Sequence, residues 1–219
     1  MLRLHDNASS GNAYKIRLLL AQLGIPFERL AYDTDRGDTR TPEFLSTKNP
    51  NGRIPVLELA DGRCLAESNA ILCYLAEGTP LLPPAAGEEG RWLRAEVMQW
   101  LFFEQSYVEP QIGSLRYWTL TGKLDRRSPD MIAGKRAYSL RALAALERAL
   151  SRHDFLAGDR YTIADMAVFA YAAHAEEAGL DLAPYPAFRA WIARVEAQPG
   201  FLAERFPYTI DPHAAKELG

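Results

Sequence analysis

Cysteine is almost missing from this chain: Cys64 and Cys73 are the only two in 219 residues, without C-x-x-C spacing. That excludes a disulfide framework and a cysteine-based zinc site. Histidine is as sparse. His5, His153, His174 and His213 stand far apart and in no ligand spacing, so no metal is expected. There is no run of about 18 apolar residues to span a membrane. Neither sign of charge dominates: 25 basic and 28 acidic residues leave a formal net charge of −3. The basic residues are scattered, which argues against a nucleic-acid partner. Glycine-rich phosphate loops and internal repeats are absent. The opening residues, broken by Arg3, His5 and Asp6, lack the apolar core of a secretory leader, so a reducing cytoplasm is the expected location. What remains is ample core material, 48% hydrophobic residues, enough for one large domain or two small ones.

The stretch 49–77, NPNGRIPVLELADGRCLAESNAILCYLAE, organises the chain. Pro50, Asn51 and Gly52 punctuate its start. Ile54, Val56, Leu57 and Leu59 then make an apolar strand that ends at Asp61-Gly62, a strong hairpin signal. A second strand, 63–66, pairs back on it, and Glu67-Ser68 opens a helix whose face is Ile71, Leu72 and Leu75. Pro55 at the start of the strand deletes a ladder donor and is expected at an edge or at a strand's first residue. If the Ile54-Pro55 bond is cis, Ile54 presents its own N–H and C=O to an extended peptide in a mode like strand addition. The helix end at Glu67-Ser68 favours a carboxylate, and the Glu67 side chain an ammonium. Each feature has a plain architectural use, as a trans proline or a cap. Their conjunction describes a receptor for a short peptide with an amino-acid head group.

The same residues carry a resemblance. Asn49-Pro50, Arg53, Ile54-Pro55, Asp61-Gly62 and Glu67-Ser68 follow the pattern of the glutathione-binding half of the thioredoxin-like domain in glutathione transferases. The resemblance implies that the Ile54 backbone pairs with the cysteinyl unit of glutathione, that Pro55 is cis, and that Glu67 and Ser68 hold the γ-glutamyl end. Arg53 matches the basic residue that serves the glycyl carboxylate in similar proteins, with Thr39 and Arg40, in the Gly- and Asp-rich loop 35–42, as further candidates.

Upstream, Leu2 and Leu4 mark a short strand. Ile16, Leu19, Leu20 and Leu23 form a helix face stopped by Gly24, and 27–32 reads as a second strand. That is a βαβ unit, completed by the hairpin and helix into a βαβ–ββα arrangement. The loop 9–12 lies at the C-terminal end of the first strand and the start of the first helix, where ligands of open α/β sheets collect. Lowering a thiol from a pKa of ~8.5 by about two units requires roughly 3 kcal/mol. One hydrogen bond to the charged sulfur supplies about 1.5–3 kcal/mol and a helix end about 0.3–1. Ser10 falls where theta- and zeta-like glutathione transferases resemble it with their serine. Asn12 falls on the asparagine of bacterial Nu-like and related fungal proteins. Ser10 is therefore the expected thiolate donor, with Asn12 second and Ser9 competing; the plain alternative is that Ser9 or Ser10 only caps the helix. No cysteine stands here, unlike the omega- and beta-like branches. Tyr14 lies a turn too far into the helix to act as a catalytic tyrosine.

The Pro- and Gly-rich stretch 78–90 reads as a linker between residues 1–77 and an all-α domain, 91–219. Helices are expected over 91–107, broken or kinked at Pro110, over about 132–150, after the Thr162–Asp165 capping box with Tyr161 and Met166 as its staple, and over 186–196. The resemblance implies an acceptor site between the domains, lined by Tyr107, Tyr117 and Trp118, for a hydrophobic electrophile, peroxide or disulfide. It also implies a homodimer in which Glu104 reaches the neighbouring subunit's glutathione. The expected protein is a glutathione transferase with glutathione as co-substrate and no metal. The alternatives are a glutathione-dependent disulfide reductase or peroxidase, and a non-catalytic interaction module of the same fold.

Overall fold

In the computed structural model, which describes residues 1–203, the chain opens with strand β1 (Leu2–Asp6), helix α1 (Gly11–Gln22) and strand β2 (Phe27–Ala31). β1 and β2 run parallel, from Leu2 opposite Phe27 to Asp6 opposite Ala31, the pairing that a helical crossover permits. The Ser10 hydroxyl caps α1 by accepting from the Ala13 N–H at 3.2 Å. Gly24 ends the helix at φ 63°, a conformation glycine reaches without a Cβ clash. Leu4, Ile16, Leu19 and Leu20 are sealed between sheet and helix.

Helix α2 (Pro42–Thr47) follows, in and beyond a stretch read above as irregular loop. Its start signal is present: Thr41 caps the Phe44 N–H and Pro42 takes the first position. With Phe44 its only buried residue, so short a helix shows no periodicity. Strands β3 (Val56–Glu58) and β4 (Cys64–Ala66) pair antiparallel, and β3 also pairs antiparallel with β1, giving the order β2-β1-β3-β4. β3 is thus an interior strand, and of the two places expected for Pro55, an edge or a strand's start, the structure shows the start. Pro55 stands before its first ladder residue, so the missing N–H interrupts nothing. The Ile54-Pro55 bond is cis. The hairpin turns through Gly62 at φ 85°, with Leu59 accepting from Gly62 and donating to Arg63, a three-residue loop.

Helix α3 (Ser68–Ala76) leads to an all-helical remainder: α4 (Gly87–Phe103), a π-helical stretch (Glu104–Gly113), α5 (Ser114–Leu120), α6 (Pro129–Leu150), α7 (Ile163–Ala172) and α8 (Pro186–Glu196). α4 begins at Gly87, inside the stretch read as linker. Pro110 does not end the helix. It sits within the wider π-helical turns, where its missing N–H is absorbed by the changed bonding pattern, and its carbonyl accepts from Ser114 and Lys135. Every residue of α7 is buried, and the helix touches α1, α3, α4, the π-helical stretch and α8. The Thr162–Asp165 capping box starts it. The Asp165 carboxylate also accepts from the Leu156 N–H at 3.0 Å and Trp191 Nε1 at 2.8 Å, while burial pushes its pKa up to about 6. Among the described residues no helix is long and apolar enough to cross a membrane.

Candidate functional site

The loop between β1 and α1 is held from below. The buried Asp6 carboxylate accepts from Arg17 through both oxygens, at 2.8 and 2.7 Å, and from Arg29 at 2.7 Å. Arg17 in turn donates to the Ala8 carbonyl at 2.9 Å, clamping the loop to the helix. This geometry separates the three candidate donors. The Ser9 hydroxyl is turned onto Asn7 Oδ1 at 2.7 Å, where its proton is engaged. Ser10 Oγ accepts from the helix and keeps its own proton to give. Asn12 points its Oδ1 inward, toward Lys15 Nζ at 2.8 Å and the Ser68 hydroxyl at 3.1 Å.

Ser9, Ser10, Ile54, Tyr32, Tyr117 and Tyr171 line a cleft of about 600 Å³, together with Arg29 and the acidic residues Asp33, Asp35 and Asp38. A second hollow of about 240 Å³ adjoins it and is lined by Thr34, Thr39, Arg40, Gly52, Arg53 and again Ile54. Ile54 therefore stands where the two meet. Its N–H and C=O have no hydrogen-bond partner among the described residues. Arg53 is exposed, and Arg40 is exposed with Nη1 donating to the Asn51 carbonyl at 2.9 Å. Thr39 also lines this hollow, although the residue as a whole is buried. Glu67 is exposed at the start of α3 with φ 67° and ψ 112°, the one non-glycine residue with positive φ among those described. Holding such a conformation costs on the order of 1–3 kcal/mol, a penalty that concentrates at ligand sites. Ser68, behind it, is buried.

Beneath the cleft lies a polar cluster of which the sequence reading named only parts. Lys15 is fully buried, and its ammonium meets acceptors only: Glu104 Oε2 at 2.6 Å, Asn12 Oδ1 at 2.8 Å, Ser68 Oγ at 3.3 Å and Asn69 Oδ1 at 3.4 Å. Burial pushes its pKa down, and the Glu104 charge opposes that shift. Glu104 Oε2 also accepts from Gln105 and Asn69, whereas Oε1 is buried without a partner. This corrects the expectation for Glu104. It has no exposed surface and is tied to Lys15 of its own chain, so its carboxylate does not reach a neighbouring subunit. Nearby Glu109 has its pKa raised, first by burial and then by the Glu104 charge.

Of the three expected acceptor-site aromatics, the structure brings one to the cleft. Tyr117 lines it, with its hydroxyl contacting Asp35 at 3.3 Å and Lys123 beside it. Tyr107 is instead 53% exposed and stacks on Phe103 at 5.2 Å. Trp118 packs against the core under the Arg127 guanidinium, 4.9 Å from its ring. Tyr117 and Trp118 are neighbours on α5, about 100° apart around the helix axis, so with Tyr117 at the cleft Trp118 turns away from it. Two further residues were missed. Tyr171, on α7, accepts from the Asn12 N–H at 3.1 Å and fills the space that Gly11 and Gly113 leave open. Lys15 sits in sequence between Tyr14 and Ile16, and a lysine between core residues was the available signal. Tyr14 itself donates to the Leu202 carbonyl at 2.7 Å and faces the core. Among the described residues no group of three or more His, Cys, Asp or Glu side chains could hold a metal; His213 lies outside them.

Comparison with known proteins places these features in a family. The model of the "Glutathione S-transferase, N-terminal domain" matches residues 1–77, and that of the "Glutathione S-transferase, C-terminal domain" matches residues 119–199. The chain is 31% identical to the Disulfide-bond oxidoreductase YfcG of Escherichia coli, over 88% of this chain and 89% of that protein. The crystal structure of a glutathione S-transferase from Pseudomonas fluorescens superposes with TM-score 0.87 at 44% identity, covering 93% of this chain and 98% of the other. The glutathione transferase URE2P6 from Phanerochaete chrysosporium, in complex with oxidized glutathione, superposes with TM-score 0.80 at 27% identity, covering 91% and 92%.

Proposed function

The chain belongs to the glutathione S-transferase family, and on that premise we propose that it binds glutathione across the end of β3 and holds the sulfur as a thiolate for attack on an electrophile. The observation that carries this reading is Ile54. Its unengaged N–H and C=O stand at the junction of two hollows, one containing Ser10 and the other Arg40 and Arg53. In this assignment the cysteinyl unit pairs with Ile54, and Ser10 gives its proton to the sulfur. Asn12 is the second donor. The strained Glu67 carboxylate takes the γ-glutamyl ammonium and the N–H groups at the start of α3 its carboxylate. Arg53 and Arg40 take the glycyl carboxylate.

A second reading has its own support. The cleft beside Ser10 carries Arg29, Asp33, Asp35 and Asp38 among apolar surface of about equal extent, so it has polar groups for a peptide disulfide as well as a wall for an apolar electrophile. There the thiolate would attack a sulfur of the disulfide, form a mixed disulfide and expel the other sulfur as thiolate. A homodimer formed through Trp92, Phe102 and Tyr107, all exposed on α4 and the stretch after it, completes the proposal.

Retention on immobilised glutathione tests the site and separates it from a non-catalytic module of this fold. Rates with an aryl halide, a hydroperoxide and a small mixed disulfide then assign the reaction. Removing the donor with Ser10→Ala is expected to lower the glutathione-dependent rate roughly 10- to 100-fold, the worth of one hydrogen bond to a charged group. Unchanged rates in both Ser10→Ala and Asn12→Ala would refute the donor assignment.

A further inference from the structure

We propose that the buried pair Lys15–Glu104 is a positioning device: it fixes the Asn12 amide with Nδ2 toward the glutathione sulfur and strengthens that N–H as a donor. The inference rests on the glutathione-binding reading given above. Asn12 Oδ1 is held by Lys15 Nζ at 2.8 Å, the Ser68 hydroxyl at 3.1 Å and Gln105 Nε2 at 3.5 Å. Chemistry alone sets this orientation, because a flipped amide would press its NH2 against an ammonium. Nδ2 is the group left over. It has no hydrogen-bond partner among the described residues, nor is it among the buried polar atoms that lack one, so it faces open space. Asn12 Nδ2 lies on the first turn of α1, two residues beyond the Ser10 donor, where the helix end adds positive potential.

A cation on the amide oxygen draws electron density from nitrogen and makes Nδ2–H the more acidic donor, as chained hydrogen bonds do in a low-dielectric interior. Glu104 favours the charged ammonium: burial alone drives a lysine toward its neutral form, and the carboxylate at 2.6 Å opposes that. The other groups facing Lys15 act in the same sense. They are Glu109 on the π-helical stretch, Glu67 at the start of α3, and the Tyr171 ring of α7, 5.6 Å from Nζ. The ammonium end of the pair contacts Asn12, while Glu104 makes no hydrogen bond to it, so the polarisation has a definite sign.

The test is an ultraviolet titration of the thiolate of glutathione bound to the full chain, alongside calorimetric binding at pH 5.5. Wild type must first bind glutathione; absence of binding would refute the functional reading rather than this inference. Lys15→Met/Glu104→Gln removes both charges together, so that neither charge is left buried alone. It is expected to bind glutathione within about twofold of wild type but to raise the bound thiol's pKa by roughly half a unit to one unit. In an Asn12→Ala background the same pair of substitutions should add nothing. If the double variant is not folded by circular dichroism, Lys15→Gln/Glu104→Gln replaces it with the same expectation. An unchanged thiol pKa overturns the proposal, as does a shift that persists in full without the Asn12 amide.

Discussion

Glu58 shows at the scale of one residue how a local environment sets a measurable. Its carboxylate accepts from Lys48 at 2.7 Å, His5 at 2.8 Å and Arg3 at 3.3 Å. Those hydrogen bonds, Lys48 first and His5 second, hold its pKa down to about 2 against an ordinary 4.5. A folded-state value below the unfolded one contributes stability that is complete above about pH 4.5 and lost as pH falls toward 2. The urea midpoint of wild type is expected to fall through that window, and Glu58→Gln to flatten the fall; a variant as steep as wild type would contradict the assignment. Asp165 has the opposite sign. Its pKa is raised to about 6 by burial, so its ionised form is the disfavoured one. Its acceptor role still outweighs that penalty: Asp165→Ala strands the Leu156, Thr162 and Trp191 donors and is expected to cost about 3 kcal/mol in urea unfolding. The capping role was legible in the sequence as Thr162-x-x-Asp165. The bond to Trp191, from another helix, was not.

Among the elements, the meeting of α1, the π-helical stretch and α7 is the tightest joint near the site. A Cβ at Gly11 would lie 2.7 Å from the Tyr171 ring, closer than carbon atoms approach. Gly11→Ala is therefore expected to destabilise by about 1–3 kcal/mol and, by moving α1, to weaken glutathione binding. Gly134, within α6, has nothing within 4 Å of such a Cβ and its φ is ordinary, so Gly134→Ala should stabilise by roughly 0.5–1 kcal/mol. Thermal unfolding of both variants checks the opposite signs. Helix α8, the α7 box and the Gly24 stop were readable because caps and periodicity are local. α2 was too short to show a period, and at Pro110, where a break or a kink was expected, the chain continues through π-helical turns that no local pattern announces.

For the molecule as a whole, exposed apolar side chains collect on α4 and the stretch that follows: Trp92 is 64% exposed and Phe102 71%. If these residues join two copies, Trp92→Glu/Phe102→Glu should sediment as a monomer where wild type sediments as a dimer. A variant that still dimerises would move the interface elsewhere.

The sequence by itself determined the βαβ–ββα order of the first domain, the hairpin at Asp61-Gly62, the starts of α1, α3, α7 and α8, and the short segment that carries Ile54, Glu67 and Ser68. These depend on turns, caps and spacing within about ten residues, which is the range over which backbone preferences act. Tertiary structure alone decided that β3 is interior, that Tyr117 reaches the cleft while Tyr107 and Trp118 do not, and that Lys15 finds Glu104, 89 positions further along the chain. A buried charge must be paired, but which distant partner pairs it is settled by how the helices pack, and no local pattern records that.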